Sequence, residues 1–132
     1  MPRLALVSLL VPDYDEALAY YAGRLGFELV EDVAQPEQGK RWVVIRPPGA
    51  PGDGAAILLA RAATPEQAAR IGDQAGGRVF LFLHTDDFAR DYARFTAAGV
   101  DWVRPPAVPA YGAVAVFRDP FGNLWDLVQP AS

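Results

Sequence analysis

The residues equipped for chemistry are few, and most lie in the second half of the chain. His84 is the only histidine, cysteine is absent, and the serines are Ser8 and Ser132. Disulfides, thiolate metal sites and cysteine nucleophiles are therefore excluded. Ser8 has no adjacent base that would make it a nucleophile. His84 and Asp126 are the candidate catalytic groups, an imidazole and a carboxylate able to work as an acid/base pair if the fold brings them together. Asp126 interrupts the apolar run Leu124-Trp125-Asp126-Leu127-Val128, where alternation places it with Leu124 and Val128, opposite Trp125 and Leu127. An inward carboxylate in such surroundings needs an arginine or a ligand donor, whereas an outward one is an ordinary surface group. His84 shares a strand face with Phe80 and Phe82. It either looks into a pocket from the strand end or satisfies the turn at Thr85-Asp86-Asp87.

The elements that must position these residues occur twice. Leu6 to Phe27 reads as an apolar strand, an acidic cap, an amphipathic helix and Leu25-Gly26-Phe27, and Phe80 to Val100 repeats that order, ending in Ala98-Gly99-Val100. Val11 aligns with Thr85 at an offset of 74 and Gly26 with Gly99 at 73, so the second helix is one residue shorter. Two half-domains, each too small for a core of its own, are implied. In the first, Leu4 to Val11 is a buried strand ended by Pro12, and Asp13 with Glu16 has capping-box spacing. Ala17, Leu18, Tyr21 and Leu25 form one helical face closed by Gly26. Strands over Phe27 to Val33, Arg41 to Arg46 and Ala55 to Ala60 follow, with a Pro/Gly-rich turn from Pro47 to Gly54. Thr64-Pro65-Glu66 opens a short linker helix that Gly76-Gly77 stops. The second half has a strand over Arg78 to Thr85, a helix face of Phe88, Tyr92 and Phe95, strands over Val100 to Val103, Ala113 to Phe117 and Leu124 to Gln129, and a loop from Pro105 to Pro109. Each half is β-α-β-β-β. The fold class is α+β, a mixed sheet of two tandem modules spanning residues 4–62 and 78–130, joined by a helical linker over 64–77.

With 132 residues the chain has the size of a single domain, and 52% hydrophobic residues argue for a folded globule. A net charge of -4 argues against binding a nucleic-acid backbone. No apolar stretch approaches the roughly 18 residues of a spanning helix, and no Ala-x-Ala cleavage pattern follows Leu4 to Val11, so neither a membrane partner nor export is expected and a cytoplasmic setting is. The stretch Pro48-Gly49-Ala50-Pro51-Gly52-Asp53-Gly54 lacks the Lys-Ser or Lys-Thr of a phosphate loop, and there is no Gly-x-Ser-x-Gly elbow. Trp42, Trp102 and Trp125 have the area to stack on a flat ligand, although core packing is the plainer use of each, as it is for Tyr20 and Tyr21. The charge run Asp13-Tyr14-Asp15-Glu16 is explained by helix capping.

Asp13-x-Asp15-x-Ala17-x-x-Tyr20-Tyr21 before Leu25-Gly26-Phe27, and Phe117-x-Asp119-Pro120-x-Gly122-Asn123-Leu124-x-Asp126-Leu127, resemble the vicinal oxygen chelate superfamily. That group includes glyoxalase I, bleomycin-resistance proteins, fosfomycin-modifying enzymes and extradiol dioxygenases. The resemblance spans essentially the whole chain and implies a cupped sheet and a homodimer. It also implies a metal held by His or Gln on each module's first strand and Glu on its last. Those places here carry Leu6, Phe80, the run Ile57-Leu58-Leu59, and Asp126, the only one with an oxygen ligand. One carboxylate does not replace four ligands, so no metal cofactor is expected. The resemblance then implies a protein that binds a small organic molecule in the cup, with Ser8, Phe80, Phe82, His84, Tyr111 and Asp126 as ligand-binding candidates. The alternative is a metal-dependent glyoxalase-type lyase or isomerase, or a dioxygenase, working through a displaced divalent metal at Asp126.

Overall fold

A computed structural model describes residues 1–52 and 54–132. The Pro/Gly-rich turn read from the sequence runs across Asp53, which lies outside the described residues. The chain divides into two compact units, Met1–Ile71 and Gly72–Ser132. Each has the expected β-α-β-β-β order.

In the first unit, β1 (Leu6–Val11) leads into helix α1 (Tyr14–Leu18) and a wider π-helical segment, Ala19–Arg24. Strands β2 (Glu28–Gln35), β3 (Lys40–Arg46) and β4 (Ala56–Arg61) complete a sheet in the order β1-β4-β3-β2. β1 and β4 run parallel, and the other pairs are antiparallel. As expected, the Asp13 carboxylate accepts from the Glu16 amide at 2.8 Å and starts the helix. The π segment accounts for the unequal repeat offsets. Leu25 donates to the Tyr20 carbonyl and Phe27 to that of Tyr21, so the extra residue of the first module is taken up by widening the last turns. Tyr20 and Tyr21 are thereby both buried and meet edge to face at 5.1 Å. Leu18, expected on the buried face, is only half-buried, and Tyr14 is buried in addition. Leu9, Val43 and Leu59, in register across three strands, are essentially fully buried on the face that packs against α1. Short helix α2 (Pro65–Ala68) is capped by Thr64, whose hydroxyl accepts from the Gln67 amide, while Gln67 accepts from the amide of Ala63. It ends at Ala68, well before Gly76-Gly77, because no residue of it is buried and nothing packs it further.

The second unit repeats the plan with β5 (Val79–His84), α3 (Phe88–Ala97), β6 (Asp101–Ala107), β7 (Gly112–Arg118) and β8 (Leu124–Pro130), in sheet order β5-β8-β7-β6. Here the helix is a regular α-helix capped by Asp87, with Gly99 in the left-handed region after it. The buried face is aromatic. Phe117 stacks on Trp125 at 5.9 Å and meets Phe95 and Trp102 edge to face at 5.6 Å. Burying side chains of this size contributes about 1.5–3 kcal/mol each, so this cluster is the main support of the unit. β6 corrects one expectation, since the strand continues through Pro105 and Pro106, which read as loop. Both prolines are exposed on a strand at the sheet's edge, within the register shift between Arg104 and Ala107, where no ladder donor is needed. The remaining strands match the expected ones to within two residues at each end.

Candidate functional site

The register of the second sheet sets one row of side chains across the face opposite the aromatic core. Phe82 pairs with Asp126, Asp126 with Val116, and Val116 with Arg104. Two devices hold this row in place. The turn between β7 and β8 is tied around the buried Asp119 carboxylate, which accepts from the amides of Phe121 and Asn123, from Asn123 Nδ2 and from Trp125 Nε1, all within 2.9–3.1 Å. The Asp-Pro-x-Gly-Asn motif is therefore an internal knot that fixes the phase of β8 and points Trp125 into the core and Asp126 to the other side. At the far end Gly112 adopts φ +135°, and a Cβ there would lie 2.1 Å from the Gln129 carbonyl. Only glycine lets β7 begin this close to β8. Its neighbour Tyr111 is left 64% exposed, tethered by its carbonyl to the Ala131 amide.

Over the row lies a concavity of about 510 Å³, bordered by Arg104, Val108, Pro109, Tyr111, Val116 and Asp126. Its size is that of a small-molecule site, and its walls are mostly apolar. Asp126 is the exception. Its Oδ1 is enclosed and has no hydrogen-bond partner. Burial pushes the carboxyl above its ordinary range, and the charge of Arg104 only partly offsets this. The inward carboxylate thus has an arginine in its row but makes no ion pair with it. The position offers one acceptor to whatever enters the concavity.

The other residues singled out from the sequence fall around this row. Phe82 is 60% exposed beside Asp126, and His84 lies one row further on, exposed and paired in register with Val128. No hydrogen bond joins His84 to Asp126 among the described residues. The turn at Thr85-Asp86-Asp87 is held by Thr85, whose hydroxyl accepts from the Asp87 amide and donates to Asp91. Phe80 borders a separate, smaller hollow of about 160 Å³ with Arg78 and Arg118. Ser8 belongs to the first unit, exposed on the open face in a row with Leu58, Val44 and Glu31. Of the tryptophans, Trp125 is core, Trp102 packs on Tyr92 at 4.5 Å, and Trp42 donates to Glu31 at 2.7 Å. Arg104, Val108, Pro109 and Val116 were not anticipated. The Pro-rich stretch was the only available signal, and the bulges of β6 put its facing beyond the reach of simple alternation.

Comparison with known proteins places this geometry. The sequence model of the Glyoxalase/Bleomycin resistance protein/Dioxygenase superfamily matches residues 3–127. The chain belongs to this superfamily. A protein of Shewanella frigidimarina (strain NCIMB 400) without an assigned role is 58% identical over 123 residues, covering 93% of this chain and 90% of that one. Among solved structures, UcmS2 superposes with a TM-score of 0.81 at 30% identity, covering 97% of this chain and 98% of that one. TnmS3, an antibiotic binding protein from Streptomyces sp. CB03234, does so with a TM-score of 0.75 at 32% identity, covering 99% and 98%.

A divalent metal is held by several converging donors. The places at which the resemblance implies ligands are Leu6, Phe80, Ile57 to Leu59 and Asp126, and among the described residues no three His, Cys, Asp or Glu side chains converge. A single carboxylate does not fit a divalent ion that demands several ligands. No helix of the described residues is long and apolar enough to cross a membrane.

Proposed function

We propose that this protein binds a small organic molecule, of the drug-like size and apolar character of an antibiotic, in the concavity over the second sheet, without a metal. The observation that carries the reading is the enclosed, unpartnered Asp126 Oδ1 on the floor of an otherwise apolar hollow of about 510 Å³. A buried acceptor left unsatisfied costs roughly 1–3 kcal/mol, a cost that a ligand donor removes. The likeness to TnmS3 supports the same class of ligand. Tyr111 and Phe82 supply exposed aromatic surface at the rim and beside the carboxylate. In this reading Asp126 and the concavity bind rather than catalyse, and His84, a row away, takes no part.

Thermal-shift screening of metal-free protein with aromatic antibiotics, and separately with zinc, nickel, iron and manganese, tests the proposal. At least one antibiotic is expected to raise Tm in a concentration-dependent way while the metals do not. Stoichiometric bound metal that is lost on Asp126→Ala would replace this reading by the metal-dependent one. A homodimer forms part of the proposal, with β2 as its surface. That edge strand is exposed along most of its length and carries Leu29, Val30 and Val33. Analytical ultracentrifugation is expected to give twice the chain mass, and a Val33→Lys variant to give the single mass.

A further inference from the structure

We infer that the ligand carries a hydrogen-bond donor, an amino group on a flat apolar skeleton, and delivers it to Oδ1 of Asp126. The inference rests on the proposed binding function and specifies the chemistry of the ligand. The protein offers this oxygen no hydrogen bond. Its neighbours in the row are the hydrocarbon side chains of Phe82 on β5 and Val116 on β7. Arg104 on β6 stands two strands away, roughly 10 Å at the usual strand spacing, and makes no ion pair with Asp126. His84 on β5 is exposed in the next row, and Tyr111 is exposed at the rim. Arg118 at the end of β7 is paired with Asp101 on β6 at 3.6 Å, so none of the titratable and charged groups on the strands around Asp126 partners it.

The first unit shows that the fold does not require this carboxylate. Its equivalent row reads Ser8, Leu58, Val44 and Glu31, with Leu58 where the second unit has Asp126. A leucine serves the same sheet position, so an acceptor there answers to something other than packing. Burial already disfavours the ionised form. A cationic amine is the donor that best reverses this, because it supplies both the hydrogen bond and the countercharge. Amine binding should therefore weaken as the solution is acidified through the raised carboxyl titration, since protonation removes the charge the amine needs.

The experiment uses 1-naphthylmethylamine and its uncharged isostere 1-ethylnaphthalene, titrated by calorimetry into the full chain. The amine is expected to bind about tenfold or more tightly than the isostere, the range of a hydrogen bond to a charged group. In Asp126→Leu, which copies the residue of the sister row and so keeps a shape the fold tolerates, the two probes should bind within about twofold of each other. Asp73→Asn, an exposed change of the same net charge, should leave the preference intact. Equal binding of both probes to the wild-type chain, or a preference that survives Asp126→Leu, overturns the inference while leaving the binding function standing. If neither probe nor any antibiotic binds, the binding function fails and the inference with it.

Discussion

The two sheets share strand order, register and helix placement, yet their open faces differ in kind. The row Ser8, Leu58, Val44, Glu31 has its polar groups at the ends, and Glu31 is engaged by Trp42 Nε1. The row Phe82, Asp126, Val116, Arg104 has a carboxylate on an inner strand with no partner. The loops that deliver the last strands differ as well. Arg46 steadies the first from outside through the Gly52 carbonyl and Glu28, whereas the second is knotted around buried Asp119. Duplication supplied two copies of one scaffold, and the second knots the turn that leads into a strand holding an unpartnered carboxylate oxygen. An unmet polar group on a rigid, well-anchored element is the mark of a site prepared for something outside the chain.

The largest expected effect comes from removing the anchor that sets the units apart. Asp119→Ala leaves Trp125 Nε1, Asn123 Nδ2 and two amides without their acceptor in the core. It should cost about 3–5 kcal/mol in urea unfolding, enough to unfold the second unit in a marginal domain. Next, forcing the first row to imitate the second with Leu58→Asp places a carboxylate on an inner strand between Ser8 and Val44, with no charged partner among its neighbours in register. A loss of about 1–3 kcal/mol is expected, with no new affinity for amines, because the concavity lies over the other sheet. The smallest effect is the reverse exchange. The folded Asp126 carboxyl titrates above its ordinary value of 3.8, so the folded state binds the proton more tightly and stability is lost as pH rises through that titration. Asp126→Leu should therefore raise the Tm of the ligand-free protein by about 1–3 °C at pH 7, and the gain should vanish at a pH below 3.8. Asp32 and Asp91 shift the other way. Hydrogen bonds from Arg41 hold Asp32 low, and those from Arg90 and Thr85 outweigh burial at Asp91, so both lose stabilising power in acid and the comparison must be made between variants at each pH.

Much of this was legible in the chain. The Asp13 cap, Gly26 and Gly99, the alternation around Asp126 and the unequal helix lengths follow from local chemistry that tertiary packing reinforces. The form taken by the extra helical residue was not legible, because a π segment depends on how Tyr20 and Tyr21 are buried together. Asp119 stood out only as part of the motif that carries the family resemblance, although Asn123 and Trp125 just beyond it carried the donors that make it an internal knot. Arg104 and the walls of the concavity escaped because β6 changes register twice, and a strand that bulges at prolines has no single period to follow.

The central claim is that the binding site lies on the second sheet around Asp126. Amide chemical-shift mapping by NMR, with an aromatic antibiotic that raises Tm or with 1-naphthylmethylamine, tests it most directly. The account predicts the largest shifts at Arg104, Val108, Tyr111, Val116 and Asp126, all weakened in Asp126→Leu. Shifts centred on Ser8, Leu58 and Val44, with the second row unmoved, would contradict it.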